Sequence, residues 1–211
     1  VEYLALADVD AEYRRYRAGE LDLTSTLPAT QLAAARAERP AELQLAPTHA
    51  LSLVVFDTTE GPLARDPALR EALALARDGE ALVERGLKAG QLPWYSMVPP
   101  GLGGYEPATY PWAREAAAAR LARARASMRA AGYGPERPLR LRVLHHRNEN
   151  NRNTALAVGS WWKERLGVEV EFVEREFGTF LALRRERAAW DAMVTAVTAD
   201  YPDPGSLLSM F

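Results

Sequence analysis

The chain contains no cysteine. Disulfides, thiolate nucleophiles and cysteine-ligated zinc are therefore excluded, while compartment stays open, because many exported proteins also lack the residue. Neither sign of charge is in surplus: 26 Lys and Arg stand against 28 Asp and Glu, a formal net charge of −2. That balance gives no electrostatic reason to expect nucleic acid or an anionic membrane as partner. No apolar run approaches the ~20 residues of a membrane-spanning helix. Val1 is expected to fall inside a strand, and no signal peptide is expected from these residues. Recognisable catalytic motifs are missing as well. Ser96, Ser127, Ser160 and Ser206 lack the glycine-flanked nucleophile elbow, and Gly101-Leu102-Gly103-Gly104 is followed by neither a helix nor a GK[ST] triplet. No cofactor is expected.

What is present suits a soluble α/β protein. Apolar residues make up 48% and charged residues 26% of 211 positions, enough for one large domain or two small ones. The first part reads as strand Val1–Leu6, helix Asp10–Arg17 capped by its aspartate and stopped at Gly19, strand Leu21–Thr26, helix Ala29–Glu38 ended by Pro40, and an apolar strand Leu51–Phe56. Helices follow from Pro67 and near Glu80–Leu87. From Gln91 to Pro111 prolines and glycines are too frequent for regular structure, and Trp94, Tyr95 and Tyr105 are candidates to pack that segment down. The last third predicts helix Arg114–Ala131, strand Leu139–Leu144, helix Asn153–Arg165, strand Val168–Val173, helix Phe177–Arg187, strand Trp190–Thr198 and a helix start at Gly205–Met210. Two successive β-α-β-α-β units are the expected fold. The abrupt beginning at Val1 and the apolar Leu207-Leu208-Ser209-Met210-Phe211 ending are expected to be cuts in a longer chain.

Few residues suggest chemistry. His145 and His146, with Glu149 nearby, invite a metal reading, but neighbouring side chains on a strand point to opposite faces, so a polar turn over a cleft is the better expectation. Glu169 and Glu171 read as the solvated side of a strand. Arg184 and Arg185 fall late in a helix, where cations suit the dipole, and are equally compatible with a plain surface pair. Asp200 ends a strand just before Tyr201-Pro202-Asp203-Pro204. Ligands of open α/β sheets bind beyond the carboxyl ends of strands, so this carboxylate either meets an ammonium group or stabilises its own turn.

Several segments, taken together and in order, resemble the oligopeptide- and dipeptide-binding proteins of ABC importers, solute-binding family 5. They are Tyr16-Arg17-Ala18-Gly19-Glu20-Leu21-Asp22, Phe56-Asp57-Thr58-Thr59 with Pro62, and Leu69-Arg70-Glu71-Ala72-Leu73-Ala74-Leu75-Ala76 with Asp78. Next come Gln91-Leu92-Pro93, Ser96, Val98-Pro99-Pro100-Gly101 and Gly104-Tyr105. Ala130-Ala131-Gly132-Tyr133, Trp162-Lys163, Leu166-Gly167-Val168 and Asp200-Tyr201-Pro202-Asp203-Pro204 complete the series.

The resemblance implies part of a two-lobe periplasmic binding protein. Residues 1–49 would close the first lobe, and residues 50–211 would form most of the second, peptide-binding lobe, truncated at its end. It implies a peptide ligand captured without covalent chemistry, an ABC permease as partner, a periplasmic or lipoprotein location in a bacterium, and a monomer. By resemblance, Asp200 holds the α-ammonium of a bound peptide, and Phe177 stands where a tryptophan often lines a side-chain pocket. Arg184 and Arg185 match cleft-facing basic residues, and a basic residue among His145, His146 and Arg147 receives a carboxylate in dipeptide binders. The chain departs from the pattern at Val194-Thr195-Ala196-Val197, where relatives carry an arginine or a glycine-tryptophan pair before the aspartate. Val197, beside Thr198, implies a reshaped pocket. The alternative reading is an α/β hydrolase-like domain, for which the sequence offers no nucleophile and base pair.

Overall fold

A computed structural model describes residues 1–6, 8–46, 48–186 and 190–209. The chain divides into two compact units, 1–47 with 87–91, and 48–86 with 92–211.

In the first unit, α1 (Val9–Arg17) is capped by Asp8, whose carboxylate accepts the Ala11 amide at 2.6 Å, and not by Asp10 as its sequence suggested. A short 3₁₀ turn at Ala29–Gln31 leads into α2 (Leu32–Glu38). The strands expected at Val1–Leu6 and Leu21–Thr26 do not form. Val1, Tyr3 and Leu23 are largely exposed, and among the described residues neither segment has a strand to pair with. A lone extended segment leaves its amides to water and has no stability of its own. The first β-α-β-α-β unit is therefore corrected to a pair of helices with extended connections.

The second unit is built on a four-stranded sheet in the order β1-β4-β2-β3. β1 (Ala50–Phe56) lies antiparallel to β4, while β2 (Arg140–His146) runs parallel to both β3 (Glu169–Arg175) and β4 (Ala192–Thr198). The helices between them are α3 (Gly61–Arg65), α4 (Pro67–Leu75), α5 (Gly79–Ala81, continued by a π-helical turn at Leu82–Leu87), α6 (Ala117–Ala130), α7 (Glu149–Leu166), α8 (Phe177–Arg185) and α9 (Gly205–Leu208). Asp66 and Pro67 start α4, and α7, capped by Asn148, begins at Glu149, four residues before the expected Asn153. The left-handed Gly167 ends α7, at a φ of 72° that a side chain would resist.

The strand alternation assigns the core. Leu141 and Val143 of β2, with Val194 of β4, pack against Leu69 and Leu73 of α4, Met128 of α6, and Val158 and Trp162 of α7. Leu144 and Met193 point the other way, against Phe180 of α8 and Trp190. Each such side chain, fully buried, contributes about 1.5–3 kcal/mol. Trp162 also donates its indole N–H to the Leu73 carbonyl at 2.9 Å, tying α7 to α4. Asp191, just before β4, accepts the Arg142 amide at 2.7 Å and that residue's guanidinium at 3.1 Å, which fixes β4 against β2.

The proline- and glycine-rich segment is irregular, and its base is held by the Arg77 guanidinium, which lies 5.3 Å from the Tyr95 ring and 5.4 Å from the Trp112 ring. Its interior contributes Val98 and Leu102 to a third cluster with Leu51 and Leu207. Tyr105, expected to help, is exposed instead. α6 begins at Ala117, after a 3₁₀ turn at Pro111–Arg114, and buries Arg120 together with Ala124 and Met128.

Candidate functional site

The parallel strands β4, β2 and β3 all end on the same edge of the sheet. Such an edge, at the carboxyl ends of parallel strands, is where α/β folds place ligands.

On the β4 side, Thr198 is the last paired residue, opposite Ala50, and Val197 packs partly against the Leu51, Leu102 and Leu207 cluster. Asp200 follows and is exposed. Its backbone is fixed: the Ala199 amide donates to the His49 carbonyl at 2.9 Å, and the Asp200 amide donates to the buried Ser206 hydroxyl at 2.7 Å. Among the described residues its carboxylate has no hydrogen-bond or ion-pair partner. The turn is stabilised by a different aspartate, Asp203, which accepts the Gly205 amide at 2.7 Å.

On the other side, His145 and His146 are the final residues of β2, not a turn beyond it. His145 is only 2% exposed and faces the interior. His146 meets the rings of Phe177 and Phe180 at 5.3 Å and 5.5 Å. Burial, and secondarily His145, pushes its pKa below the ordinary value. Phe177, the first residue of α8, is 58% exposed, so one of its faces is free beside that imidazole. Arg147 is exposed but engaged, its guanidinium lying 3.2 Å from Glu174 and 2.8 Å from Glu176. Arg184 and Arg185 lie exposed in the last turn of α8, whose end differs from the expected Arg187, a position outside the described residues. The structure thus joins His146 with Phe177, and it gives Arg147 two acidic partners that spacing in the sequence did not disclose. Ser206, weighed in the sequence only as a nucleophile, was not read as an anchor, because a serine six residues beyond an aspartate matches no motif.

Among the described residues no group of three or more His, Asp or Glu side chains could hold a metal. The first unit has a concavity of about 160 Å³ lined by Tyr13, Tyr16, Thr24, Arg39 and Glu42. Its polar groups already satisfy one another: Glu42 accepts from Tyr16 at 2.7 Å and from Arg39 at 2.9 Å.

The sequence model described as "Bacterial extracellular solute-binding proteins, family 5 Middle" matches residues 1–211. The chain is 30% identical over 210 residues to the Escherichia coli periplasmic murein peptide-binding protein MppA, covering 100% of itself and 39% of that protein. It is 33% identical over 198 residues to a probable deoxycholate-binding periplasmic protein of Escherichia coli, YgiS, covering 91% of itself and 36% of that protein. The solved structure of MppA superposes with a TM-score of 0.87 at 30% identity, over 95% of this chain and 39% of that one. Haemophilus influenzae OppA, solved in complex with the peptide RPPGFSPFR, gives 0.88 at 27% identity, over 99% of this chain and 41% of that one. The sheet and its helices are therefore part of the two-lobe fold of the periplasmic binding proteins. The chain belongs to the family 5 bacterial extracellular solute-binding proteins. These are binding proteins, not enzymes, which removes the hydrolase alternative.

Proposed function

We propose that this chain carries the ligand-contacting part of a binding protein that captures peptides for a bacterial ABC importer, with Asp200 receiving the peptide's α-ammonium group. Residues 1–49 then belong to one lobe and residues 50–211 to the other, and the complete protein is a periplasmic monomer that delivers its ligand to a permease. One observation carries the reading: an exposed carboxylate without a partner among the described residues, on a backbone fixed from two sides, at the carboxyl edge of parallel strands. A charge-assisted bond to an ammonium needs those properties. The family supports a peptide ligand, through relatives named for murein peptide and oligopeptide binding.

Phe177 with His146 supplies an apolar wall beside the main chain of the ligand, and the small Val197 leaves room near it. Arg184 and Arg185, exposed in the last turn of α8, are placed to meet an acidic group. Arg147 is a poor receiver for the ligand's carboxylate, since Glu174 and Glu176 already neutralise it. This favours peptides longer than two residues.

The test is calorimetry on the complete protein with tri-alanine and its N-acetylated form. Removing one partner of a desolvated charge pair costs about 2–5 kcal/mol, so Asp200→Asn should lower the affinity for tri-alanine by more than tenfold. The acetylated peptide should bind the wild type poorly and lose little more on the variant. Equal binding of the two peptides by the wild type, or of neither, contradicts the proposal.

A further inference from the structure

Resting on that reading of Asp200, we infer that Gly103 is a positioning residue for the ammonium site: its bare α-carbon sets where the Asp200 turn sits, and through it how strictly a free amino terminus is required. The proline- and glycine-rich segment is anchored at its base by the Arg77 guanidinium between Tyr95 and Trp112, and by the Tyr110 amide donating to the Tyr95 carbonyl at 2.9 Å. Its tip is a tight turn closed by the Tyr105 amide on the Leu102 carbonyl at 2.8 Å. Leu102 is fully buried at this tip against Leu51, Val98 and Leu207, and Leu207 follows directly on the serine that holds the Asp200 amide. Leu102 therefore presses the tip against the element that carries the site.

Gly103 then meets the turn backbone to backbone. A Cβ placed there would lie 3.0 Å from the Pro202 carbonyl oxygen, with the Asp203 α-carbon at 4.0 Å. Only Tyr201 stands between Asp200 and Pro202, in a turn closed by Asp203 accepting the Gly205 amide. To admit that Cβ the Pro202 carbonyl must give by a few tenths of an ångström, and only the short run through Tyr201 lies between it and Asp200, whose amide Ser206 holds. Charge recognition holds a site within about 0.5 Å and 10–20° of its productive geometry, so a shift and tilt of that size reaches the tolerance. Gly104 provides the internal control. Its φ of 73° is as left-handed as the 54° of Gly103, yet a Cβ there would meet nothing within 4 Å.

The experiment measures, for the complete protein, the ratio of tri-alanine to N-acetyl-tri-alanine affinity in wild type, Gly103→Ala, Gly104→Ala and Asp200→Asn. Both glycine variants carry the strain of a left-handed alanine, but only the first pushes on the turn. Gly103→Ala should lower the ratio by about fivefold or more, as expected for a displaced polar contact, while Gly104→Ala leaves it unchanged. Should Gly103→Ala fail to fold, Ser206→Ala releases the Asp200 amide from the other side and should lower the ratio likewise. A ratio lost in Asp200→Asn but kept in Gly103→Ala, or in Ser206→Ala where that variant stands in, overturns this inference alone. Equal loss in both glycine variants also overturns it, since strain and not contact would be responsible. A wild-type ratio near one removes the reading of Asp200, and this inference with it.

Discussion

Asp191, just before the start of β4, and His146, at the end of β2, show how single side chains hold the sheet in place. The Asp191 carboxylate accepts the Arg142 amide at 2.7 Å, so Asp191→Ala removes a hydrogen bond to a charged group and should cost about 1.5–3 kcal/mol of stability, measured by denaturant unfolding. A loss no larger than that of an ordinary surface substitution would show that water replaces the carboxylate freely. His146 makes a prediction about pH. Burial holds its folded-state pKa below the ordinary 6.5, so below 6.5 the unfolded chain takes up a proton that the folded chain resists. The stability His146 contributes is complete above its unfolded value and is lost as pH falls from there through the folded value. His146→Phe should flatten this acid limb and keep the ring contact with Phe177. Thermal unfolding of both proteins at neutral and mildly acidic pH decides the matter, and equal losses in Tm would refute the assignment.

At the level of elements, α7 is the beam of the second unit, and Trp162 is its main attachment. The indole is 1% exposed and bonded to α4, so Trp162→Ala should destabilise the fold by about 3–5 kcal/mol. Retained cooperative unfolding at nearly wild-type denaturant concentration would contradict that placement. The elements with two-sided packing were legible in the sequence: Leu51–Phe56, Leu139–Leu144, Val168–Val173 and Trp190–Val197 do form one sheet, because apolar runs and alternation report burial directly. The amino-terminal strands were not. Val1–Leu6 and Leu21–Thr26 have strand-like composition, but a strand exists only with a partner, and pairing is invisible to local pattern. The candidate site was legible to a similar degree. Asp200 stood out by position and by resemblance and Phe177 by resemblance alone, whereas the acidic partners of Arg147, the burial of His145 and the Ser206 anchor depend on register across strands and on a turn closing back on itself.

Capture between two lobes, as proposed above, belongs to the whole molecule. The chain spans 39% of MppA and 36% of YgiS, the relatives reported above. Half a cleft leaves a peptide's main chain in water and its ammonium screened, so the 211-residue chain alone should bind tri-alanine no more tightly than about millimolar by calorimetry. Micromolar binding would mean that the second unit is sufficient and that closure between lobes adds little. The most direct test of the central claim is a crystal structure of the complete protein with a bound peptide, read for a single distance. The peptide's α-nitrogen is expected within about 2.7–2.9 Å of an Asp200 carboxylate oxygen. A peptide whose amino terminus lies elsewhere, with Asp200 facing solvent, would contradict it.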